Sequence, residues 1–203
     1  MKVTKLTAQQ KNKDRVNVFV DGKYELSLSL DQVLEQKLKT NSDITDQELK
    51  KLHKISADGK IRTRALEWVL SRPHSQKELI DYLKRKGAEP QLIENIANEF
   101  ALKGYQNETE FTKWWVDNRL RKNKSNREIR LELRQKGVDS NIIDQALNGN
   151  SNQKTRIKQL IESKKLFIKY PEHRKLINYL SQKGFSYSDI AEVVAELKEV
   201  ENF

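Results

Sequence analysis

The chain has 203 residues, 33% of them charged, and a net charge of +10. It can bury a core, but it is too polar for a deep-cored enzyme to be the first expectation. The absence of cysteine excludes disulfides and thiolate metal sites, and no apolar run approaches the ~18 residues of a membrane span. Surplus positive charge makes a polyanion or a nucleoprotein the first class of partner. The opening MKVTKLTAQQKNK lacks the apolar stretch of a secretion signal, so the expected compartment is the cytoplasm.

The first thirty residues follow a period of two. In RVNVFVDGKYELSLSL, Val16, Val18 and Val20 alternate before Asp21-Gly22, and Tyr24, Leu26 and Leu28 alternate after it. Asp-Gly between alternating runs predicts a β-hairpin with a type I′ turn, whose two central residues both need positive φ. Tight pairing predicts Phe19, Tyr24, Leu26 and Leu28 on one face, and KVTKL is placed to add a third strand. A lone hairpin is marginal in water, so that face needs a cover, which LDQVLEQKL is predicted to supply as a short helix. TDQELKKLHKI then opens a further helix, with Thr45 and Glu48 spaced as a capping box.

From about residue 60 the apolar period is helical, and one pattern occurs three times. SQKELIDYLKRKGAEPQLIENIA, SNREIRLELRQKGVDSNIIDQAL and EHRKLINYLSQKGFSYSDIAEVV align on Gly87, Gly137 and Gly184, which are 50 and 47 residues apart. Leu79, Ile129 and Leu176 stand eight positions before the glycine, Leu83, Leu133 and Leu180 four before it, and Ile93, Ile143 and Ile190 six after it. A gap of four puts each leading pair on one helix face. Each glycine should end its helix in a left-handed C′ position. Ser75 with Glu78 and Ser125 with Glu128 predict capping boxes, while the third copy has Pro171 near its helix start instead.

A further helical run precedes each copy: KIRTRALEWVLSR, ETEFTKWWVDNRLRK and QKTRIKQLIESKKLFIKY. Each repeat should therefore hold three helices, too small to stand alone and stacked on its neighbours. The expected fold is mainly α, an elongated array of three tandem three-helix repeats behind a small β-hairpin and helix module. The expected divisions are 1–55, 56–104, 105–150 and 151–203.

Charge is not spread evenly over the copies. Residues 119–136 hold Arg119, Arg121, Lys122, Lys124, Arg127, Arg130, Arg134 and Lys136 against Glu128 and Glu132 alone. Arg127, Arg130 and Arg134 fall at i, i+3 and i+7, a stripe facing away from Ile129 and Leu133. Residues 154–175 are again basic, and the last nineteen residues are acidic, which suggests two different contacts. Trp115 lies four residues after Phe111 and is expected in the core. Trp114 points about 100° away and is a candidate for base stacking. His53, His74 and His173 show no metal-ligand spacing, and His74 is expected at the surface. There is no phosphate-binding glycine loop and no catalytic constellation, so neither cofactor nor metal is expected and the chain reads as a non-enzyme.

Three blocks, ALEWVLSRPHSQKELIDYLKRKG, GYQNETEF and NRLRKNKSNREIRLELRQKGVDSNIIDQAL, together resemble the bacterial RecX regulatory proteins over roughly residues 60–200. The N-terminal hairpin resembles the extension of some Gram-positive members, and Gln106 departs from the apolar residue usual after Gly-Tyr. The stacked repeats lead to the expectation of a monomer, and the resemblance implies a modulator that binds the RecA recombinase and lies in the groove of its filament on single-stranded DNA. It further implies inhibition of ATPase and strand exchange, and so roles in recombination, DNA repair and the SOS response. Direct DNA contact is left open. The candidate contact set is Arg72, Arg119, Arg121, Lys122, Lys124, Arg127, Arg130 and Arg134, with Trp114 for stacking. Two other readings stand beside it: a general nucleic-acid-binding repeat protein without a recombinase partner, and an adaptor that contacts proteins through its acidic tail.

Overall fold

The computed structural model describes residues 1–10, 14–148 and 152–201, with side chains to residue 197. The chain forms two compact units, one of residues 1–71 with 80–102, the other of residues 72–79 with 103–203. The expected division at 150/151 lies outside the described residues.

In the first unit, β1 (Val3–Ala8), β2 (Arg15–Val20) and β3 (Lys23–Ser29) form an antiparallel sheet in that order. Asp21 (φ 47°) and Gly22 (φ 81°) make the tight turn that the Asp-Gly pair predicts. The face assignment needs correction. Val18 pairs with Leu26 but Phe19 pairs with Tyr24, so Glu25 is an extra residue and the alternation slips at that bulge. Phe19 and Tyr24 consequently leave the core face and meet edge-on at 6.0 Å. Val16, Val18, Val20, Leu26 and Leu28 are buried, and Val18, Val20, Leu26 and Leu28 form one core with Val3, Ile44 and Leu52.

Helix α1 (Leu30–Glu35) is capped reciprocally by Ser29 and Gln32, and α2 (Asp46–Leu70) by Thr45 and Glu48. The two helical runs expected on either side of residue 55 are one continuous helix of 25 residues, α2. Nothing between them breaks a helix except Gly59, which costs only ~1 kcal/mol there. That glycine leaves room for the Gln32 side chain, which donates from Nε2 to the Ile55 carbonyl at 3.1 Å. Helices α3 (Gln76–Arg85) and α4 (Pro90–Leu102) complete the first copy. Trp68 stacks on Tyr82 at 4.5 Å.

In the second unit, α5 (Glu108–Leu120), α6 (Asn126–Gln135) and α7 (Ser140–Asn148) close over Phe111, Val116, Ile129, Leu133, Val138, Ile143 and Leu147. The third copy departs from three helices. QKTRIKQLIESKKLFIKY is not one run but α8 (Gln153–Ser163) and a single turn, α9 (Leu166–Lys169), broken where Lys165 takes φ 49°. The break sinks Leu166 into the core shared with α10 (His173–Gln182) and α11 (Tyr187–Glu201). No glycine or proline marks it; it stands directly before the buried Leu166.

The repeat signature is otherwise realised, except that Ile93 is only half-buried where Ile143 and Ile190 are buried. Leu79, Ile129, Leu176, Leu83, Leu133 and Leu180 are fully buried. Gly87, Gly137 and Gly184 have φ of 76°, 81° and 88°. Each copy ends this helix with the same paired bonds. Ala88, Val138 and Phe185 donate their N–H to Leu83, Leu133 and Leu180, while the glycines donate to Lys84, Arg134 and Ser181.

Candidate functional site

Helix α6 is short and strongly two-faced. Ile129 and Leu133 face the core, and the opposite side carries Arg127 and Arg134, both exposed. Ser125 caps it, its Oγ accepting from the Glu128 N–H at 3.1 Å. The capping box is only half made, because the Glu128 carboxylate turns to Lys124 instead of back to the cap. Helix α3 repeats this: Ser75 Oγ accepts from the Glu78 N–H, while the Glu78 carboxylate takes Arg72 and Lys136.

The eight cations of residues 119–136 divide evenly. Arg119 pairs with Glu132, Lys124 with Glu128, Arg130 with Asp144 at 2.6 Å, and Lys136 with Glu78. Arg121, Lys122, Arg127 and Arg134 are exposed and have no ion pair among the described residues. Half of the positive charge is therefore paired, and two of the four carboxylates, Asp144 and Glu78, cannot be read from the local sequence, since they lie 14 and 58 residues from their partners.

The tryptophans are tied into the same network. Trp115 donates from Nε1 to Glu132 at 2.9 Å, with the Arg119 guanidinium 3.9 Å and the Lys136 ammonium 4.4 Å from its ring centre. Trp114 is half-buried, and Arg72 lies over its ring at 5.1 Å while donating to the Pro73 carbonyl and to Glu78. Burial pushes the Glu78 carboxyl up, but hydrogen bonds from Lys136 and Arg72 outweigh it and hold it below the usual carboxylate range.

His74 is buried, contrary to the surface position expected for it, and Nδ1 lies 2.7 Å from the Arg72 carbonyl. It belongs to a polar cluster in which Gln106 donates from Nε2 to Glu108 at 2.9 Å and contacts the His74 carbonyl at 3.4 Å. These bonds account for a polar side chain at this buried position. Burial raises the Glu108 carboxyl above its ordinary range, only partly offset by the Gln76 N–H and Gln106.

Successive copies in this unit meet through one kind of joint. The first turn of α6 sits on the glycine turn of α10, where Ser125 Oγ donates to the Lys183 carbonyl at 2.7 Å. The first turn of α3 sits on the glycine turn of α6, where Lys77 Nζ donates to the Gln135 carbonyl at 2.8 Å. A Cβ at Gly184 would fall 2.6 Å from Ser125 Oγ and 3.2 Å from Arg127 Cβ, and one at Gly137 would fall 3.2 Å from Lys77 Cβ. Glycine is favoured at both by backbone angle, and at Gly184 also by space.

The second basic segment is used differently. Arg156 is 6% exposed and donates to the Lys124 carbonyl at 2.7 Å and to Asn126 at 2.8 Å, so it fixes the loop that carries Arg121 and Lys122 into α6. Nothing in the sequence separates it from its surface neighbours. Lys154 and Lys158 pair with Glu192 and Glu196 of α11, so part of the acidic tail is matched within the chain. Glu199 and Glu201 lie outside the described side chains. Among the described residues no three His, Asp or Glu side chains group to hold a metal ion, and no helix is long and apolar enough to cross a membrane.

Three family models match: the N-terminal domain of regulatory protein RecX over residues 1–45, the first RecX three-helix domain over 62–99 and the second over 107–147. A regulatory protein RecX from Bacillus subtilis strain 168 is 31% identical, over 97% of this chain and 77% of its own. One from Clostridium botulinum strain Alaska E43 is 30% identical, over 96% and 95%. A crystal structure of regulatory protein RecX superposes with a TM-score of 0.77 at 24% identity, covering 96% of this chain and 98% of that one. RecX from Lactobacillus salivarius does so with a TM-score of 0.62 at 26% identity, over 70% and 97%. With matches at both the N-terminal module and the two following repeats, and a relative of nearly equal length aligned end to end, this chain belongs to the RecX family of regulatory proteins.

Proposed function

We propose that the chain binds the RecA recombinase and its filament on single-stranded DNA, and lowers ATPase and strand-exchange activity by holding neighbouring protomers in place. Family membership supports RecA as the partner. The observation that carries the reading is the face of α6 and its preceding loop, where Arg121, Lys122, Arg127 and Arg134 are exposed without an ion pair among the described residues. A cluster of cations left unneutralised beside four that are paired is available to carboxylates or phosphates of a nucleoprotein. Arg72, Arg119, Lys124 and Arg130 serve in this reading chiefly to shape the face, since each already has a carboxylate partner. Contact through several copies adds avidity through effective concentration.

The test is strand exchange and ATP hydrolysis by RecA, titrated with the wild type and with a variant carrying R121E, K122E, R127E and R134E. The variant should keep wild-type helicity and melting, because none of the four is buried, and should lose inhibition. Inhibition at the wild-type concentration would remove this face from the mechanism. Binding to single-stranded DNA with no binding to RecA would favour a general nucleic-acid-binding repeat protein.

A further inference from the structure

The exposed face of α6 carries one residue that charge does not account for. Leu131 is 58% exposed and stands between Arg127 and Arg134, four residues after one and three before the other. The corresponding positions of the other copies, six before the glycine, hold Asp81 and Asn178. Packing of the repeat therefore does not require an apolar residue there; the middle copy alone presents one to solvent.

Leu131 borders a groove of about 400 Å³ lined by Arg127, Glu128 and the last turn of α10, residues 181–184. Arg127 stands on one wall and the exposed Lys183 on the other. The only carboxylate in the lining, Glu128, is already taken by Lys124. The groove is thus concave and cationic, with an aliphatic patch at its edge.

We propose that this groove docks an acidic peptide segment of the partner protein, with an apolar side chain of that segment seated on Leu131 and its carboxylates meeting Arg127, Arg134 and Lys183. The proposal rests on the functional reading above and adds the chemistry of what is recognised. Guanidinium groups match carboxylates in a forked geometry. A phosphodiester backbone would be served by the cations alone, and bases stack on aromatic rings, not on leucine. An apolar anchor ringed by charge is the arrangement of a protein-binding patch.

The test uses the full chain and two variants at the exposed position, Leu131→Asn, which installs the residue of the third copy, and Leu131→Met. Affinity is measured for DNA-free RecA and, separately, for a labelled single-stranded oligonucleotide. Leu131→Asn should weaken RecA binding about tenfold, as loss of an apolar anchor does, while Leu131→Met stays within about twofold of wild type. Oligonucleotide binding should be unchanged in both. RecA binding unaltered by Leu131→Asn overturns the proposal and leaves the functional reading standing. Equal loss toward RecA and oligonucleotide also overturns it, by placing nucleic acid in the groove. Absence of RecA binding by the wild type overturns the functional reading itself.

Discussion

Three glycines share one backbone conformation but not one environment, and that separates strain from crowding at the level of single residues. A Cβ at Gly87 would meet nothing within 4 Å, one at Gly137 would press on Lys77, and one at Gly184 would overlap Ser125 Oγ. Gly87→Ala should cost the left-handed penalty alone, ~1–2 kcal/mol. Gly184→Ala should cost about 1 kcal/mol more, since it must also dislodge a bonded hydroxyl, with Gly137→Ala between them. Urea denaturation of the three variants gives the order; equal losses would show that the joints contribute nothing. Leu133→Ala removes a fully buried side chain and should cost ~2–5 kcal/mol in the same assay. These positions were legible in the sequence because each depends on its own helix: an apolar pair four apart, then a glycine. Tyr24 was not, since the bulge that turns it outward inserts Glu25 between two otherwise regular runs.

At the level of elements, the starts of α3 and α6 show capping boxes opened to make other bonds. Serine and glutamate at the right spacing predicted both starts, and the serine half of each is present. The glutamate half is not, because cations, Lys124 beside Glu128 and Arg72 with the distant Lys136 beside Glu78, offer charged partners where the box offers a neutral amide. For Glu78 this has a pH signature. Its carboxyl is held below the ordinary range in the folded chain, so its contribution is present above the unfolded value of ~4.3 and is lost as pH falls through the lower folded value. Glu108 acts with the opposite sign: its raised carboxyl favours the fold at low pH, and that contribution fades as pH rises through the raised value. Glu78→Gln should cost ~1–3 kcal/mol at pH 7, and the difference from wild type should narrow on acidification toward pH 3. Denaturant midpoints across that range check it; a constant difference would mean the carboxylate charge is not what matters. The four-helix third copy shows the limit of periodicity, since α8 and α9 lie in one apolar pattern and part at Lys165, beside the buried Leu166.

For the molecule as a whole, the sequence overstates the charge available for binding. Residues 119–136 read as six net positive charges, but folding brings in Asp144 and Glu78 and leaves four exposed cations without ion pairs among the described residues. If all four met phosphates of single-stranded DNA, the logarithm of affinity would fall with the logarithm of salt at a slope of about −3. A slope near −5 would mean that the internal pairs open on binding. The acidic tail was the other misleading feature, since Glu192 and Glu196 are turned toward Lys154 and Lys158 across the third copy. Long-range pairing of this kind leaves no local trace, whereas the repeat, the hairpin turn and the helix starts are short-range and were readable.

The joint between copies has a direction: a serine-capped first turn on one side and a glycine turn on the other. A heterologous contact of that kind has no built-in end and, on the surface of a monomer, would recruit further molecules head to tail into a filament of its own. The chain denies itself that outcome. The glycine turn of the first copy stands open at Gly87, but the third copy, whose first turn would have to fill it in a neighbouring molecule, has Pro171-Glu172 in place of the serine cap, with Glu172 bonded to Lys175. The contact that joins copies within the chain is thus not offered for joining one chain to the next.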